Sequence, residues 1–366
     1  MLHPITRRDA FRLAAAGTAA VSLSTSAEAQ DADDAVVFLV TNDVHACRTA
    51  SGLSQGCQAA GKTDPSMLRH VAALNAVETL DWPETVAGGP SGFARVGRGI
   101  GKPRGLVVVG DLTDDGGGQV ALPSEGTQLL QFSQRYAEGA SPDRVHMPVY
   151  LGLGNHDLDQ DGPPGHEDWY RRELRDYVEM NHRPGVFFKP PVPVPNYEPD
   201  SDSYSWDWDD LHLVQTQRFA GDTQKGAASA LDWLREDLKA HAGDGRPVIW
   251  FQHYGWDDFS VERWDPAKNT FDPQGTGAAH WWSADDRQTV LNLLEGINVL
   301  AIFHGHEHPS TLLYKEGGID VFKPKAAFMG GFALVRVAKD RMEVATAEAG
   351  EGGAVNWTRA FGKAIG

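Results

Sequence analysis

Five short runs dominated by apolar and β-branched residues, at 36–41, 106–109, 149–153, 248–251 and 299–303, each break abruptly into polar residues. Runs that short and that continuously apolar are strands buried on both faces, as in sheets covered by helices. Patterns of helical period lie between them, at 67–80, 128–137, 167–178, 228–240 and 284–294. Strand and helix therefore alternate, which implies an α/β architecture with parallel pairing. The tail departs from this, with strand-like stretches at 311–314, 328–335 and 343–346 that suggest an antiparallel continuation. Two facing mixed sheets between helices, a four-layer α-β-β-α sandwich, accommodate both halves. The sequence shows no repeat of solenoid or propeller period, and residues 30–366 read as one domain.

The polar residues that end the runs are of ligand type. Asp43 and His45 follow the first, Gly110 and Asp111 the second, Gly154-Asn155-His156-Asp157 the third, His253 the fourth and His304-Gly305-His306 the fifth. Open α/β sheets bind ligands at the carboxyl ends of their strands, so these loops converge on one site. Carboxylate, amide and imidazole donors suit divalent manganese, zinc or iron, and no cysteine stands among them to make a thiolate site. Asp43, His45, Asp111, Asn155, His253, His304 and His306 exceed what one catalytic ion needs, which favours two ions with a carboxylate between them.

In this order and spacing, Asp43-Val44-His45, Gly110-Asp111, Gly154-Asn155-His156-Asp157, His253 and Gly305-His306 resemble the motifs of the calcineurin-like metallophosphoesterases, over roughly residues 36–335. The resemblance implies that Asp43, His45 and His306 hold one ion, that Asn155, His253 and His304 hold the other, and that Asp111 bridges them. It further implies hydrolysis of a small phosphoester by a metal-bridging hydroxide. His156 would protonate or hydrogen-bond the leaving oxygen, with Asp157 or Asp114 orienting it. Protein phosphatases of this family carry a phosphate-gripping arginine where this chain has Asp115. The sequence is thus more similar to the bacterial and phosphodiesterase-like branches, and the expectation is a phosphodiester, of a nucleotide or of a phospholipid or inositol head group, ahead of a monoester. A protein that only binds metal or a phosphate ligand is the alternative, and it has no need of His156 and Asp157 beside a completed ligand set.

The net charge of -17 opposes binding to a nucleic-acid polymer, whose affinity comes from clustered Lys and Arg. It does not oppose a small phosphate at a cation site, because bound ions dominate the local field. The first 29 residues read as an export signal: Arg7-Arg8, an apolar stretch to Leu23, then Ala27-Glu28-Ala29. Paired arginines favour the twin-arginine route to the periplasm or beyond, and the apolar stretch is too short to span a bilayer. No later run has the ~20 apolar residues of a transmembrane segment. In an oxidising compartment Cys47 and Cys57 can close a short disulfide loop, the alternative being two unrelated thiols. Two stretches lack periodicity, the proline-rich 184–199 and the aromatic-rich 254–282. In the second, Tyr254, Trp256, Trp281 and Trp282 either wall the pocket or staple the loop, and Arg263 is a candidate phosphate contact. His308, two residues beyond His306, is a candidate for contact with substrate or with a ligand.

Overall fold

In a computed structural model, the described residues are 34–49, 52–53, 55–114, 128–158, 167–223, 227–257, 263–265, 270–272 and 282–365. The export-signal reading, Asp115 and Trp281 lie outside them, as does the side chain of Arg263. A single unit, Ala35–Gly366, holds every element named below.

One sheet contains β1 (Val36–Thr41), β2 (Leu106–Val108) and β3 (Val149–Leu151), followed later in the chain by β11 (Gly331–Val337), β12 (Arg341–Ala349) and β13 (Val355–Ala364). Its order is β13-β12-β11-β1-β2-β3. The β1-β2-β3 half is parallel, and the β11-β12-β13 half is antiparallel. The other sheet holds β4 (Asn196–Glu198), β5 (Ser203–Trp208), β6 (Leu211–Gln215), β7 (Val248–Phe251), β8 (Val299–Phe303), β9 (Leu312–Glu316) and β10 (Ile319–Lys323), in the order β9-β10-β8-β7-β6-β5-β4. It is parallel in the middle and antiparallel at both edges.

The period of two along each strand decides which residues meet between the sheets. Phe38 of β1 lies 5.3 Å from the Trp208 ring and 6.2 Å from Phe251, both on the facing sheet. Tyr150 of β3 stacks on Trp206 at 4.3 Å. Ile249 and Phe251 of β7 join this inter-sheet core, whereas Val248 and Trp250, pointing the other way, pack with Leu234, Leu238 and Val290. Burying a ring such as Phe38 contributes about 2–3 kcal/mol, so a one-residue slip that turned these faces around would be costly.

Helices cover both outer faces. Against the first sheet lie α2 (Asp64–Ala76), α3 (Gln128–Tyr136) and α5 (Glu167–His182), preceded by the short α1 (Gln55–Ala60), with the one-turn α4 (Asn155–Leu158) between α3 and α5. Met67, Val71, Leu74, Phe132, Leu174 and Val178 supply their buried stripes. The start of α2 is set locally, because the Thr63 hydroxyl accepts from Ser66 N at 3.3 Å and a proline sits in the first turn. On the second sheet lie α6 (Leu231–His241) and α7 (Ala284–Leu293), the latter opened by a Ser283–Asp286 capping box. The expected four-layer arrangement is therefore what forms. No helix among the described residues is long and apolar enough to cross a membrane.

Sequence reading missed β5 and β6. Their signal was present: Tyr204, Trp206 and Trp208 alternate with polar residues, and Asp209, at φ 56°, makes the turn into Leu211. The tail is also less uniformly antiparallel than expected, since β10 pairs parallel with β8.

Candidate metal centre

The β1-β2 pairing does not stop where the strands do. Asp43 N donates to Gly110 O at 3.1 Å, His45 N to Asp111 O at 3.0 Å, and Ala46 N to Leu112 O at 3.0 Å. These bonds hold Asp43, His45 and Asp111 in the left-handed region, at φ 51°, 47° and 52°, where non-glycine residues are disfavoured by about 1–2 kcal/mol each. His306 joins them at φ 76°. Four of the eight described non-glycine residues at positive φ are thus residues expected from sequence as ligands.

Two glycines make room for the approach. A Cβ on Gly110, itself at φ 84°, would stand 2.6 Å from His253 Nδ1. A Cβ on Gly154 would stand 2.1 Å from Asp111 Oδ1 and 2.6 Å from Asp111 N. The strand-to-loop turns must be this bare for the carboxylate and the imidazole to meet.

Asp43, His45, Asp111, His253 and His304 are fully buried, and His306 nearly so. His253 Nε2 lies 3.1 Å from Asp111 Oδ2 and 3.2 Å from Asn155 Oδ1, while its Nδ1–H donates to Val109 O at 2.9 Å. That backbone bond selects the tautomer and turns Nε2 into the site. On the other side of Asp111, His45 Nε2 lies 3.5 Å from Asp111 Oδ2 and 3.7 Å from Asp43 Oδ1. Asp43 in turn accepts from His306 N at 2.9 Å and lies 3.3 Å from His308 Nε2.

Among the described residues, two donor clusters share Asp111. Asp43, His45, Asp111 and His308 each present one ligand atom within 4.8 Å of the others, and so do Asp111, His253 and His306. Asp111 belongs to both. Donors bonded to one ion at 2.0–2.2 Å lie within about this span of one another, so each cluster fits a divalent cation without rearrangement on a larger scale.

The electrostatics favour the same occupant. Burial would push the Asp111 carboxyl up, but the charges of His253 and His156 outweigh it and hold it far below the usual carboxylate range. Burial is likewise overcome at Asp43, by hydrogen bonds from His308 and His45. The imidazoles respond in kind: against burial, hydrogen bonds to Asp114 and Asp43 raise His45 to about 9, and the Asp111 charge raises His253 to about 9. Buried carboxylates that draw protons onto neighbouring imidazoles are calling for positive charge, which metal ions supply as they displace those protons.

Not all of the residues expected as ligands are brought together. His304 turns away from both clusters. Its Nδ1–H donates to Gly305 O at 2.9 Å, its Nε2 accepts from the Tyr314 hydroxyl at 3.0 Å, and burial lowers it to about 4. His308 stands in the first cluster instead, and His306 falls in the cluster of His253 rather than in that of Asp43. The strand β8 explains the shift: it runs through Phe303, so His304 is still held by the sheet, with its N–H on Phe322 O. The loop that can bend toward the ions begins after it. Spacing carried the signal, because the Gly305-His306-Glu307-His308 stretch offers two imidazoles on one turn, whereas His304 continues the strand.

Asp157 does not orient His156. Its buried carboxylate accepts from Leu112 N, Thr113 N and Gly154 N at 3.0 Å each and from Thr113 Oγ1 at 2.9 Å, riveting the Asp111 loop to the Asn155 loop. Asp114 does the orienting, through its carbonyl: His156 Nδ1–H donates to it at 2.5 Å. The Asp114 carboxylate serves His45, lying 3.0 Å from Nδ1. Trp256 and Trp282 are buried among Trp250 and Phe219, which makes them a staple rather than a pocket wall. Of Tyr254, Trp256 and Trp282, it is Tyr254 that faces the centre, its ring 4.8 Å from His306.

A four-layer sandwich whose strand ends gather two donor clusters about one shared aspartate defines a metal-dependent phosphoester hydrolase. The calcineurin-like phosphoesterase family matches residues 36–310, and the chain belongs to it. Membership decides for an enzyme over a protein that merely binds. Among solved structures the chain is similar to a dimetal phosphatase from Danio rerio, at 12% identity and a TM-score of 0.50, covering 90% of this chain and 99% of that one. It is also similar to PhoD, at 10% identity and a TM-score of 0.51, covering 90% and 70%. These likenesses are of fold. No curated protein matches the chain in sequence.

Proposed function

We propose that this enzyme hydrolyses small phosphodiesters in preference to monoesters at a centre in which Asp43, His45, Asp111 and His308 hold one divalent ion and Asp111, Asn155, His253 and His306 hold the other. The observation that carries this reading is the pair of donor clusters sharing Asp111, buried except at His308. Manganese, zinc and iron all suit the donor set. When bound, the two ions supply Lewis acidity toward the phosphoryl oxygens and lower the pKa of water.

The chain's own residues do the rest. His253 Nδ1–H on Val109 O and His45 Nδ1–H on Asp114 keep each Nε2 lone pair directed inward. Asp157 keeps the loops of Asp111 and Asn155 in register. His156, fixed by the Asp114 carbonyl and set edge-on to His45 with ring centroids 4.7 Å apart, retains Nε2 for the leaving oxygen. In its doubly protonated form that nitrogen donates a proton to the departing alkoxide. The diester preference rests on Asp115 standing where monoesterase relatives that act on proteins grip phosphate with arginine. Residues 1–29 direct export, and the arginine pair, apolar stretch and small-residue cleavage pattern support that reading.

The test compares bis-p-nitrophenyl phosphate with p-nitrophenyl phosphate for chelated and manganese-reloaded enzyme. The expectation is hydrolysis only after reloading, with the higher kcat/KM on the diester. A higher value on the monoester would overturn the preference, and no hydrolysis of either would overturn the activity.

A further inference from the structure

Asp114 carries a third partner that the metal chemistry does not use. Lys62 Nζ lies 2.5 Å from Asp114 Oδ1 and 3.5 Å from His45 Nδ1, with its side chain only 14% exposed. Lys62 is no loose surface lysine reaching inward. Its N–H donates to Cys57 O at 2.9 Å, and Cys57 is bonded to Cys47 as a disulfide. Cys47 follows directly on the His45-Ala46 turn, so the disulfide ties the segment bearing Lys62 to the segment bearing His45. The same ammonium sits 5.3 Å over the Phe328 ring, which is roughly perpendicular to the rings of His45 and His308.

An imidazole that binds an ion through Nε2 needs its Nδ1–H held by a fixed acceptor. Asp114 is that acceptor for His45, but it is a quarter exposed. Left alone, a carboxylate so placed is free to turn to water. A cation bonded to the same oxygen that accepts from His45 removes that freedom.

We propose that Lys62 is a positioning residue of the metal centre: delivered by the Cys47–Cys57 loop, it pins the Asp114 carboxylate and thereby holds His45 in the tautomer and orientation that bind the ion shared with Asp43 and His308. This rests on the metal-centre reading above. Loss of such a partner typically costs 10–100-fold in metal affinity.

The experiment is manganese titration of the full chain by calorimetry, for wild type, Lys62→Met, Lys62→Arg, Asp114→Asn and the Lys62→Met/Asp114→Asn double variant. Cobalt-loaded absorption spectra and far-ultraviolet dichroism accompany each titration. Lys62→Met is expected to weaken one of the two ions about 10-fold or more and to shift the cobalt spectrum, while Lys62→Arg stays within about threefold of wild type. In the Asp114→Asn background Lys62→Met should add almost nothing, since both changes remove one linkage. Wild-type affinity in Lys62→Met overturns the proposal, and so does a loss that adds in full to that of Asp114→Asn. If Lys62→Met does not fold, Lys62→Gln takes its place under the same criteria. Wild-type protein that takes up no ions would instead overturn the metal-centre reading itself.

Discussion

Replacing Gly154 by alanine perturbs the centre without removing a ligand. The added methyl would stand 2.1 Å from Asp111 Oδ1, 2.6 Å from Asp111 N and 2.7 Å from Asp111 Cγ. Ordinary contact needs more than 3 Å, so one side must retreat by about 1 Å. Asp111 cannot do so freely: His45 N holds its carbonyl at 3.0 Å and His156 N holds Oδ1 at 3.0 Å. Gly154 is itself tied through its N–H to Asp157. Overpacking costs about 1–3 kcal/mol, against which alanine regains about 0.4–1 kcal/mol by restricting the unfolded chain. A net loss near 1–2 kcal/mol is thus expected in urea unfolding. A displacement of about 1 Å at a catalytic constellation costs on the order of 100-fold in kcat/KM, measured on bis-p-nitrophenyl phosphate at saturating manganese. Gly99→Ala is the control, because its methyl would meet nothing closer than Asp81 Oδ1 at 3.9 Å. Activity of Gly154→Ala within threefold of wild type would refute the claim that close approach of these two loops builds the site.

Two further outcomes separate structural from chemical histidines. His308→Ala should lose one manganese ion per chain in metal analysis, whereas His304→Phe should keep both and lose stability because the Tyr314 O–H loses its acceptor while its oxygen still accepts from Trp256 N, so loss of an ion from His304→Phe alone would reverse the assignment. His182 is buried with Nδ1–H on Val192 O at 2.9 Å and Nε2 accepting from Leu151 N at 3.0 Å, and burial lowers it from 6.5 to about 4. The unfolded chain therefore takes up a proton below about pH 6.5 that the fold refuses until about pH 4, and stability falls as pH drops through that window. By pH 4.5 this contributes about 2.5 kcal/mol of loss. His182→Gln should flatten the decline in urea midpoint between pH 7 and 4.5, and an unchanged slope would contradict the sign.

The strands that carry ligands were legible because burial on both faces leaves an apolar run that stops where the chemistry starts, as Val36 to Thr41 stops before Asp43. The hairpin of β5 and β6 carries a different signal, a period-two alternation of Tyr204, Trp206 and Trp208 with Ser203, Ser205 and Asp207, which a reading built on continuous apolar runs passes over. Strand ends and neighbouring glycines singled out Asp43, His45, Asp111, Asn155 and His253, and the structure brings these side chains together. That His308 stands nearer this group than His304 was not legible, since it depends on the residue at which the sheet releases the chain. Asp157 misled for a related reason: a carboxylate beside His156 in sequence points to backbone donors in space. Nothing in the spacing marked Lys62, whose place follows from a disulfide and a loop rather than from a strand.

Anomalous diffraction from manganese-loaded crystals reads the proposed dinuclear centre about Asp111 without an intermediary. Two peaks are expected to flank the Asp111 carboxylate, about 3.5–4 Å apart, with a His308 nitrogen on the ion of Asp43 and a His306 nitrogen on the ion of His253. A single peak, or an ion bonded to His304, would contradict it.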